Sequence, residues 1–266
     1  MKLLNLNTGI KISNTDAVIA LIKDQQADFV ALQEVGRPFE AGVLPEYKPL
    51  VDIEATLKPT YPYMFFGPMW FGDAFRTNGV VDRHFGGHIE QGNELLSKYP
   101  IMSATNEHYY KHYEYMIDWS NWKQEDHGRS VEIVELDVHG IPLQILNLHG
   151  IWNKSRMGDE RTMKQCEYIV AAAKRKSIAT IITGDLNLDP ASESIQYMSK
   201  HFRNLITENS ITSTRPDFED NLDSGKNVVD YIFVNDLITV THFGVIETNA
   251  SDHLPLIIEF ELGSKL

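Results

Sequence analysis

Short apolar runs recur along this chain, and polar residues follow them at once. Residues 29–32 are followed by Glu34, and residues 179–183 are followed by Asp185. An uninterrupted apolar run of this length is typical of a strand that is covered on both faces. Because such strands need other layers on both sides, the pattern predicts an α/β architecture with its sheets buried in the middle.

Periodicity and turn residues give the rest of the organisation. No repeat or linker divides the chain, so we predict a single α/β domain with mixed sheets over residues 1–266. The prolines and glycines between residues 37 and 92 predict long loops around the strand at 63–66. We predict strands at 2–6, 29–32, 63–66, 94–97, 131–138, 143–148, 179–183, 228–234 and 256–261, and helices from Asn14 or Thr15 to about Gln26, at 159–176 and at 192–200.

Composition limits the possible partners and compartment. The 24 basic and 37 acidic residues give a net charge of −13, which disfavours binding to a long nucleic-acid duplex. No apolar run is long enough to span a membrane, and the N-terminus does not resemble a secretory signal, so we expect a cytoplasmic protein. Cys166 is the single cysteine, which excludes an intramolecular disulfide and favours a small buried side chain over a nucleophile.

Polar side chains of a few chemical types lie at the ends of most predicted strands. Taken singly, each is more typical of a turn, a helix cap or a solvated strand end. We interpret Asp189 in this way, as a helix cap before Pro190. Their repetition is more informative, because strand ends of packed sheets converge at one edge. The residues are Asn5, Asn7, Glu34, Asn147, His149, Asp185, Asn187, Asp230, Ser251, Asp252 and His253.

This set suits phosphoryl transfer on a bound divalent cation. Hard oxygen ligands without cysteine favour Mg²⁺ or Mn²⁺, with Glu34 and Asp252 as candidate carboxylate ligands. Asp185 is a candidate for orienting or deprotonating water, and amides can bind phosphate oxygens without adding negative charge. An Asp230 carboxylate would hold a histidine in one tautomer and raise its pKa. No covalent nucleophile is needed.

Six blocks of the sequence resemble, in order, those of the endonuclease/exonuclease/phosphatase superfamily. They span most of the chain, from Asn7 to Pro255. The resemblance implies a four-layer α/β sandwich, with two packed mixed β-sheets flanked by helices, and metal-dependent cleavage of phosphoester bonds. The blocks are LQEV (32–35), GNELLSKYPI (92–101), NLHG (147–150), GDLN (184–187), VDYIFV (229–234) and SDHLP (251–255).

The resemblance also implies a role for each site residue. Glu34 and Asn7 would lie at the metal, with Asp252 binding the metal or supporting the site. His149 and Asn187 would contact the scissile phosphate, and Asp185 would activate the water. Asp230 would pair with His253, which touches the phosphate or acts as acid or base. Asn93 and Arg129 match less distinctive blocks and are candidates for substrate binding, although a structural ion pair remains open for Arg129.

Three functions are compatible with this reading. The first is a Mg²⁺- or Mn²⁺-dependent phosphodiesterase or phosphatase, acting on a small molecule, a lipid headgroup or a nucleic-acid end. The second is a nuclease or DNA-end repair enzyme, but His149 stands where apurinic endonucleases of this superfamily usually carry a tyrosine-containing motif. The third is a catalytically silent binding domain, which the complete set of site residues disfavours.

Substrate choice is expected in the aromatic segments rather than in the strand ends. Loops tolerate variation and often carry specificity. The segments 37–92 and 105–128 are rich in aromatic residues, which either stack on a substrate or pack as a lid. In the second segment these are Tyr109, Tyr110, Tyr113, Trp119 and Trp122.

Overall fold

A computed structural model describes residues 1–9, 15–77, 80–116, 127–153, 155–216 and 227–263. The proposed cap Asn14 and the two tryptophans Trp119 and Trp122 lie outside these residues. Within the described part the chain forms twelve strands and five helices. None of these helices has the length and apolar character that crossing a bilayer requires.

The elements alternate along the chain as follows. The strands are β1 (Lys2–Asn7), β2 (Phe29–Pro38), β3 (Tyr63–Thr77), β4 (Val80–Ser97), β5 (Ile101–Tyr110), β6 (Arg129–Val138), β7 (Ile141–His149), β8 (Ala179–Asp185), β9 (Arg203–Asn204), β10 (Asp230–Val234), β11 (Ile238–Val245) and β12 (Leu256–Leu262). The helices are α1 (Thr15–Gln25), α2 (Pro49–Leu57), α3 (Glu160–Ala173), α4 (Glu193–Ser199) and α5 (Leu205–Glu208), with a 3₁₀ turn at Pro45–Tyr47.

The strands form two mixed sheets of six strands each. Sheet I has the order β11-β12-β1-β2-β4-β3, and sheet II has the order β5-β6-β7-β8-β10-β9. The β1–β2 and β7–β8 pairs are parallel, and the other pairs are antiparallel. Helices α1 and α2 pack on the outer face of sheet I, and α3 and α4 pack on sheet II. The predicted four-layer sandwich is therefore confirmed.

The apolar run in β2 shows why the sheets are buried on both faces. Phe29 and Ala31 face sheet II in the main core, whereas Val30 and Leu32 face α1 and α2 in a second cluster. Successive side chains of a strand point to opposite faces, so a strand between two covered faces must be apolar at every position.

The predicted loops between residues 37 and 92 are wrong. The structure has a helix there, α2, and a long antiparallel hairpin of β3 and β4, so the predicted strand at 63–66 is only the beginning of β3. Proline and glycine were misleading because Pro68 and Gly72 occupy register shifts, and Gly92 packs against the Gly67 carbonyl where a Cβ would not fit. Trp70 and Phe85 are buried in a small core of their own beside this hairpin.

Three smaller expectations are also corrected. Strand β2 continues past Leu32 to Pro38, and β5 occupies the first part of the predicted loop at 105–128. Asp189 is not the cap of α4. Its carboxylate accepts from the Ala191 backbone N–H at 2.8 Å in a tight turn, whereas Ser192 caps α4 by accepting from the Ile195 N–H at 3.3 Å.

Helix α3 occupies most of the helix predicted at 159–176, ending at Ala173, and places Cys166 in the core. Asp159 caps the helix in a capping box with Thr162. Cys166 is fully buried, and burial raises the pKa of its thiol to about 12. The thiol therefore stays protonated at neutral pH, as expected for a structural cysteine.

Glu94 is a buried carboxyl group without a hydrogen-bond partner among the described residues. Burial, followed by the charges of Glu132 and Glu54, raises its pKa well above the ordinary value of 4.5. The folded protein therefore holds this proton more tightly than the unfolded chain does. As pH rises above about 4.5, ionising Glu94 costs stability, at up to ~1.4 kcal/mol per pH unit.

We expect Glu94→Gln to gain stability relative to the wild-type protein as pH rises from about 4.5 to 8, because glutamine cannot ionise. Urea unfolding across this range measures the difference. Glu167→Gln on the exposed side of α3 is the matched control and should show a flat difference. A flat difference for Glu94→Gln as well would contradict a buried, protonated Glu94.

Candidate active site

The ends of both sheets bring the polar residues to one edge of the sandwich. In sheet I, the parallel pairing of β1 and β2 ends at Asn7 and Gln33, next to Glu34. In sheet II, His149 of β7 and Asp185 of β8 are register partners, and Asp230 begins β10 opposite Asp185. The convergence expected from the sequence follows from these registers.

Asn7 joins the two central carboxylates across the sheets. Its Nδ2 donates to Glu34 Oε1 at 3.2 Å and to Asp185 Oδ2 at 3.0 Å, and its Oδ1 accepts from the Gly9 N–H at 2.9 Å. In this arrangement Asn7 presents its nitrogen to the carboxylates. It therefore orients both acids, while its oxygen points back to the chain.

Glu34 reaches the site because β2 carries a bulge at this point. The register with β4 shifts between Leu32 and Val35, and Glu34 has a φ of 59°. Regular alternation from the inward Gln33 would turn Glu34 to the outer face. The left-handed conformation instead brings its carboxylate within 3.6 Å of His149 Nε2, at a strain of about 1–2 kcal/mol.

We expect Glu34→Gly to be about 1 kcal/mol more stable than Glu34→Ala, because glycine adopts the left-handed region without strain. Both variants lose the carboxylate, so chemical unfolding isolates the backbone contribution. The same pair of changes at Glu261, an exposed β12 residue without a positive φ, should give the opposite order. Equal stability of the two Glu34 variants would contradict backbone strain.

Arg129 fixes the tautomer of His149. Its Nη1 lies 3.4 Å from His149 Nδ1, and because a guanidinium only donates, Nδ1 must accept and the ring proton is on Nε2. Burial, and then the Arg129 charge, lowers the pKa of His149 well below 6.5. His149 is therefore a neutral donor whose Nε2–H faces Glu34 Oε1 at 3.6 Å and Asp185 Oδ2 at 3.8 Å.

His253 has the opposite protonation state because of Asp230. Its Nδ1 lies 2.9 Å from Asp230 Oδ2, and its Nε2 lies 3.8 Å from Asp185 Oδ2. Burial opposes the charged ring, but the carboxylates of Asp230 and Asp185 outweigh burial and raise the pKa of His253 to about 9. The site thus contains one neutral and one charged imidazole.

Asp185 lies between these two histidines. It is 1% exposed, and burial followed by the Asp230 charge raises its pKa to about 7. Its Oδ1 accepts from the Asn187 backbone N–H at 2.8 Å. A carboxyl group that titrates near neutrality and is held in a fixed orientation has the properties of a general base.

Asn187 and Asn93 lie at the edge of this group. Asn187 has a φ of 57°, so its backbone is left-handed, and its Nδ2 donates to the Gly150 carbonyl oxygen at 3.4 Å. Asn93 lies on β4 beside the Glu34 bulge. Its buried amide has no hydrogen-bond partner among the described residues. The Asn93 amide is thus a buried polar group that the described residues leave unsatisfied.

Asp252 lies apart from the central carboxylates, on the solvent side. Its side chain is 50% exposed, and its Oδ2 accepts from Arg215 Nη2 at 2.6 Å. It is absent from both groups of potential ligand atoms within the described ranges, which are Glu34–His149–Asp185 and Asp185–Asp230–His253.

The donor set fits a divalent cation bound mainly by oxygen. Glu34 and Asp185 supply carboxylates close together, and both have raised pKa values through burial and like charges. His149 Nε2 carries its proton, so this nitrogen is a donor rather than a ligand in the arrangement seen here. A cation between the two carboxylates would relieve their repulsion, and oxygen ligands favour Mg²⁺ or Mn²⁺.

A buried polar layer supports the site from below. Asn147 donates to the Leu32 carbonyl at 3.1 Å, to the Glu94 carbonyl at 3.2 Å and to Glu132 Oε2 at 2.7 Å, and it accepts from Gln33 Nε2 at 2.7 Å. These bonds connect β7 to β2 and β4 across the sandwich. They fix the spacing between the strands that carry Glu34 and His149.

Sequence reasoning missed two residues that contact the site. Tyr109 donates to the His149 carbonyl oxygen at 2.9 Å, and Arg215 Nη1 lies 3.3 Å from His253 Nε2. The sequence indicates Tyr109 only as an aromatic residue of a segment that can carry specificity. Arg215 follows no strand or motif, and nothing in the sequence around it indicates its position.

Comparison with known proteins gives one family. The model of the Endonuclease/Exonuclease/phosphatase family matches residues 4–253. The chain belongs to this family. The match includes all ten residues proposed above for the site, and the family comprises phosphoester hydrolases. The sequence matches no curated protein.

Solved structures agree with this assignment at the level of the fold. An endonuclease/exonuclease/phosphatase from Beutenbergia cavernae has a TM-score of 0.74 at 17% identity, covering 99% of this chain and 72% of that one. Humanized D. rerio TDP2 has a TM-score of 0.67 at 15% identity, covering 98% of both chains. The mannosyl-6-phosphatase Bt3783 of Bacteroides thetaiotaomicron has a TM-score of 0.63 at 13% identity, covering 98% of this chain and 100% of that one.

Proposed function

We propose that this chain is a Mg²⁺- or Mn²⁺-dependent hydrolase that cleaves a phosphoester of a small molecule by direct attack of water. The observation that carries the proposal is the position of Asp185. Its Oδ2 lies 3.8 Å from the Nε2 atoms of both His149 and His253. A general base between two phosphate-binding imidazoles suits a reaction in which the charge on phosphorus oxygens is stabilised while water attacks.

Each of the central residues has a proposed role in this reaction. Asp185 accepts the proton of the attacking water, for which a pKa of about 7 is suitable. Neutral His149 donates its Nε2–H to a phosphate oxygen. Charged His253, held by Asp230, binds a second oxygen or protonates the leaving group. The Asn187 amide adds a donor without adding charge.

The cation would be held by Glu34, with Asn7 orienting the carboxylate and Asp252 supporting the site from the solvent side. When bound, Mg²⁺ or Mn²⁺ supplies positive charge to the phosphate oxygens and lowers the pKa of coordinated water. Asn93, next to the Glu34 bulge, and Arg129, behind His149, are proposed to orient the substrate and the histidine.

The surface charge favours a small substrate over a long nucleic acid. Many described arginines already contact carboxylates of the same surface, which include the pairs Arg37–Glu90, Arg76–Asp73, Arg161–Asp159, Arg175–Glu107 and Arg203–Glu208. Together with the net charge of −13, these pairs among the described residues argue against the free basic groove that a polyanion requires. We keep a cytoplasmic location as a prediction.

Hydrolysis of synthetic esters tests the proposal. Protein stripped of metal with EDTA should be inactive on 4-nitrophenyl phosphate and bis(4-nitrophenyl) phosphate, and Mg²⁺ or Mn²⁺ should restore nitrophenolate release. Faster cleavage of a DNA duplex or its ends would favour the nuclease alternative. Failure to bind either cation in calorimetry, together with no hydrolysis, would favour a silent binding domain.

A further inference from the structure

Arg215 is held in a fixed position between the two segments that carry the Asp230–His253 pair. The preceding residue, Thr214, donates its N–H to the Asn227 carbonyl at 2.9 Å and accepts from the Leu254 N–H at 2.8 Å. Its hydroxyl accepts from the Asp230 N–H at 3.2 Å. The segment is thus bonded both to the start of β10 and to the residue after His253, so the Arg215 backbone cannot move independently of the site.

One nitrogen of the Arg215 guanidinium is bonded to Asp252, and another faces His253. Nη2 donates to Asp252 Oδ2 at 2.6 Å, and Nη1 lies 3.3 Å from His253 Nε2. The side chain is 23% exposed. It also lines an open cleft of about 530 Å³ with Ser213 and Leu254, so a small solute can reach it from solvent.

Arg215 Nη1 and His253 Nε2 lie side by side, next to Asp185. His253 Nδ1 is occupied by Asp230, so Nε2 is the ring atom that faces the site, 3.8 Å from Asp185 Oδ2. An anionic oxygen placed there would accept from Arg215. Guanidinium groups bind phosphate oxygens strongly because their donors lie in a planar fork.

We propose that Arg215 binds a terminal phosphate oxygen and makes the site selective for phosphomonoesters of small molecules. This inference rests on the proposed hydrolase function. A phosphomonoester dianion has three terminal oxygens and about two negative charges, whereas a phosphodiester has two such oxygens and one charge. His149 and Asn187 can serve two oxygens from the interior side. Arg215 supplies the additional positive charge and donor on the solvent side, where a diester would carry its second ester group.

The charge balance of the site is consistent with this role. Three carboxyl groups lie around the reaction point, namely Glu34, Asp185 and Asp230, and Asp252 lies on its solvent side. A dianion is repelled by such a set unless cations face it. Arg129 contributes from the interior, behind His149, and Arg215 contributes from the solvent side. Asp252 keeps the guanidinium in place through its bond to Nη2.

The test compares the two nitrophenyl esters, with the same metal and the same leaving group. We expect Arg215→Ala to lower kcat/KM for 4-nitrophenyl phosphate about 10- to 100-fold, mainly through KM, as for loss of a hydrogen bond to a charged group. The value for bis(4-nitrophenyl) phosphate should change less than about 3-fold, because a diester lacks the third charged oxygen. Arg215→Lys keeps the charge without the fork and should lie between.

Arg203→Ala is the matched control. Arg203 pairs with Glu208 and lies at the opposite end of β10 from Asp230, so its loss should leave both rates unchanged. An equal loss for both esters in Arg215→Ala would overturn the selectivity and make Arg215 a positioning residue for His253. Unchanged rates on both esters would also overturn it.

Binding of inorganic phosphate gives a readout that does not depend on turnover. Calorimetry should show about 10-fold or greater weakening of phosphate binding in Arg215→Ala and none in Arg203→Ala. If the wild-type protein hydrolyses neither ester, the proposed function fails, and this measurement still decides on Arg215. Loss of phosphate binding would then support the anion site, and unchanged binding would overturn it.

Discussion

Asp185→Asn is expected to lower kcat about 10²- to 10⁴-fold while the protein remains folded, because removal of a positioned general base costs this much. Asparagine has nearly the same shape and can keep the bond from the Asn187 N–H through its oxygen. It cannot accept a proton from water, and its NH₂ group would face the Nδ2 of Asn7. Initial rates on the nitrophenyl esters, with saturating metal, measure the effect.

The stability of the same variant should change in the opposite direction. The pKa of Asp185 is raised from 3.8 to about 7 in the folded protein, chiefly by burial. The folded state therefore binds this proton more tightly than the unfolded state does, and stability falls as pH rises from about 4 to about 7. Asparagine removes this loss, so metal-free Asp185→Asn should gain stability relative to the wild-type protein across that range.

Asp189→Asn is the control for both measurements. Asp189 belongs to the same stretch, but its carboxylate accepts from the Ala191 N–H in a turn. We expect activity within about 3-fold of wild type, as for a surface substitution away from the site. Retention of activity in Asp185→Asn would contradict its assignment as the base, and equal losses at both positions would indicate a structural effect instead.

The fold was predictable where a continuous apolar run indicates a buried strand. Strand β8 is buried at every position, and it ends where Asp185 enters the site, so its apolar run predicts its position closely. The parallel pairs β1–β2 and β7–β8 place Asn7, Glu34, His149 and Asp185 at one edge. The convergence of these residues therefore depends on strand direction, which an alternating pattern of strands and helices indicates.

The hairpin of β3 and β4 was not predictable in the same way. Its sequence contains the residues that normally interrupt strands, and the structure accommodates them at register shifts and close glycine contacts. Gly92 is required because a Cβ would lie 2.2 Å from the Gly67 oxygen. Local propensity predicts a loop here. The need for glycine at position 92 becomes visible only when β4 is paired with β3.

Two features of the site depend on details that no sequence pattern records. Glu34 lies in the site because of a bulge with a positive φ, although it was chosen from its place after an apolar run. Arg215 contacts His253 because Thr214 is bonded to two distant segments. A residue placed by long-range hydrogen bonds has no local signal, so sequence reasoning could identify the strand-end residues but not this arginine.

Asp230→Asn is expected to change the protonation of His253 and, as a consequence, the activity. In the wild-type protein the charge of Asp230 outweighs burial and raises the His253 pKa to about 9. Asparagine lacks that charge, so the pKa should fall well below 9, and its NH₂ group can impose the other tautomer. NMR titration of the His253 ring in metal-free protein measures the shift directly.

The loss of activity should depend on pH in a defined direction. Up to about pH 9, wild-type His253 is an imidazolium that can bind or protonate an oxygen, whereas the variant ring is neutral at the same pH. At pH 8 we expect kcat/KM to fall about 10²- to 10⁴-fold, with the alkaline limb of the profile displaced to lower pH. Asp236→Asn, at the other end of β10, is the control and should leave the profile unchanged.

Stability gives an independent check on the same pair. Because the folded pKa of His253 lies above its unfolded value of 6.5, the charged pair stabilises the protein fully below about pH 6.5, and this contribution is lost as pH rises through about 9. The stability deficit of Asp230→Asn in urea unfolding should therefore be largest below pH 6.5 and should shrink toward pH 10.

A His253 pKa that stays near 9 in the variant, with an undiminished rate, would show that Asp230 does not control the histidine. If the rate falls but the His253 pKa stays near 9, Asp230 contributes to the reaction in some way other than by charging His253.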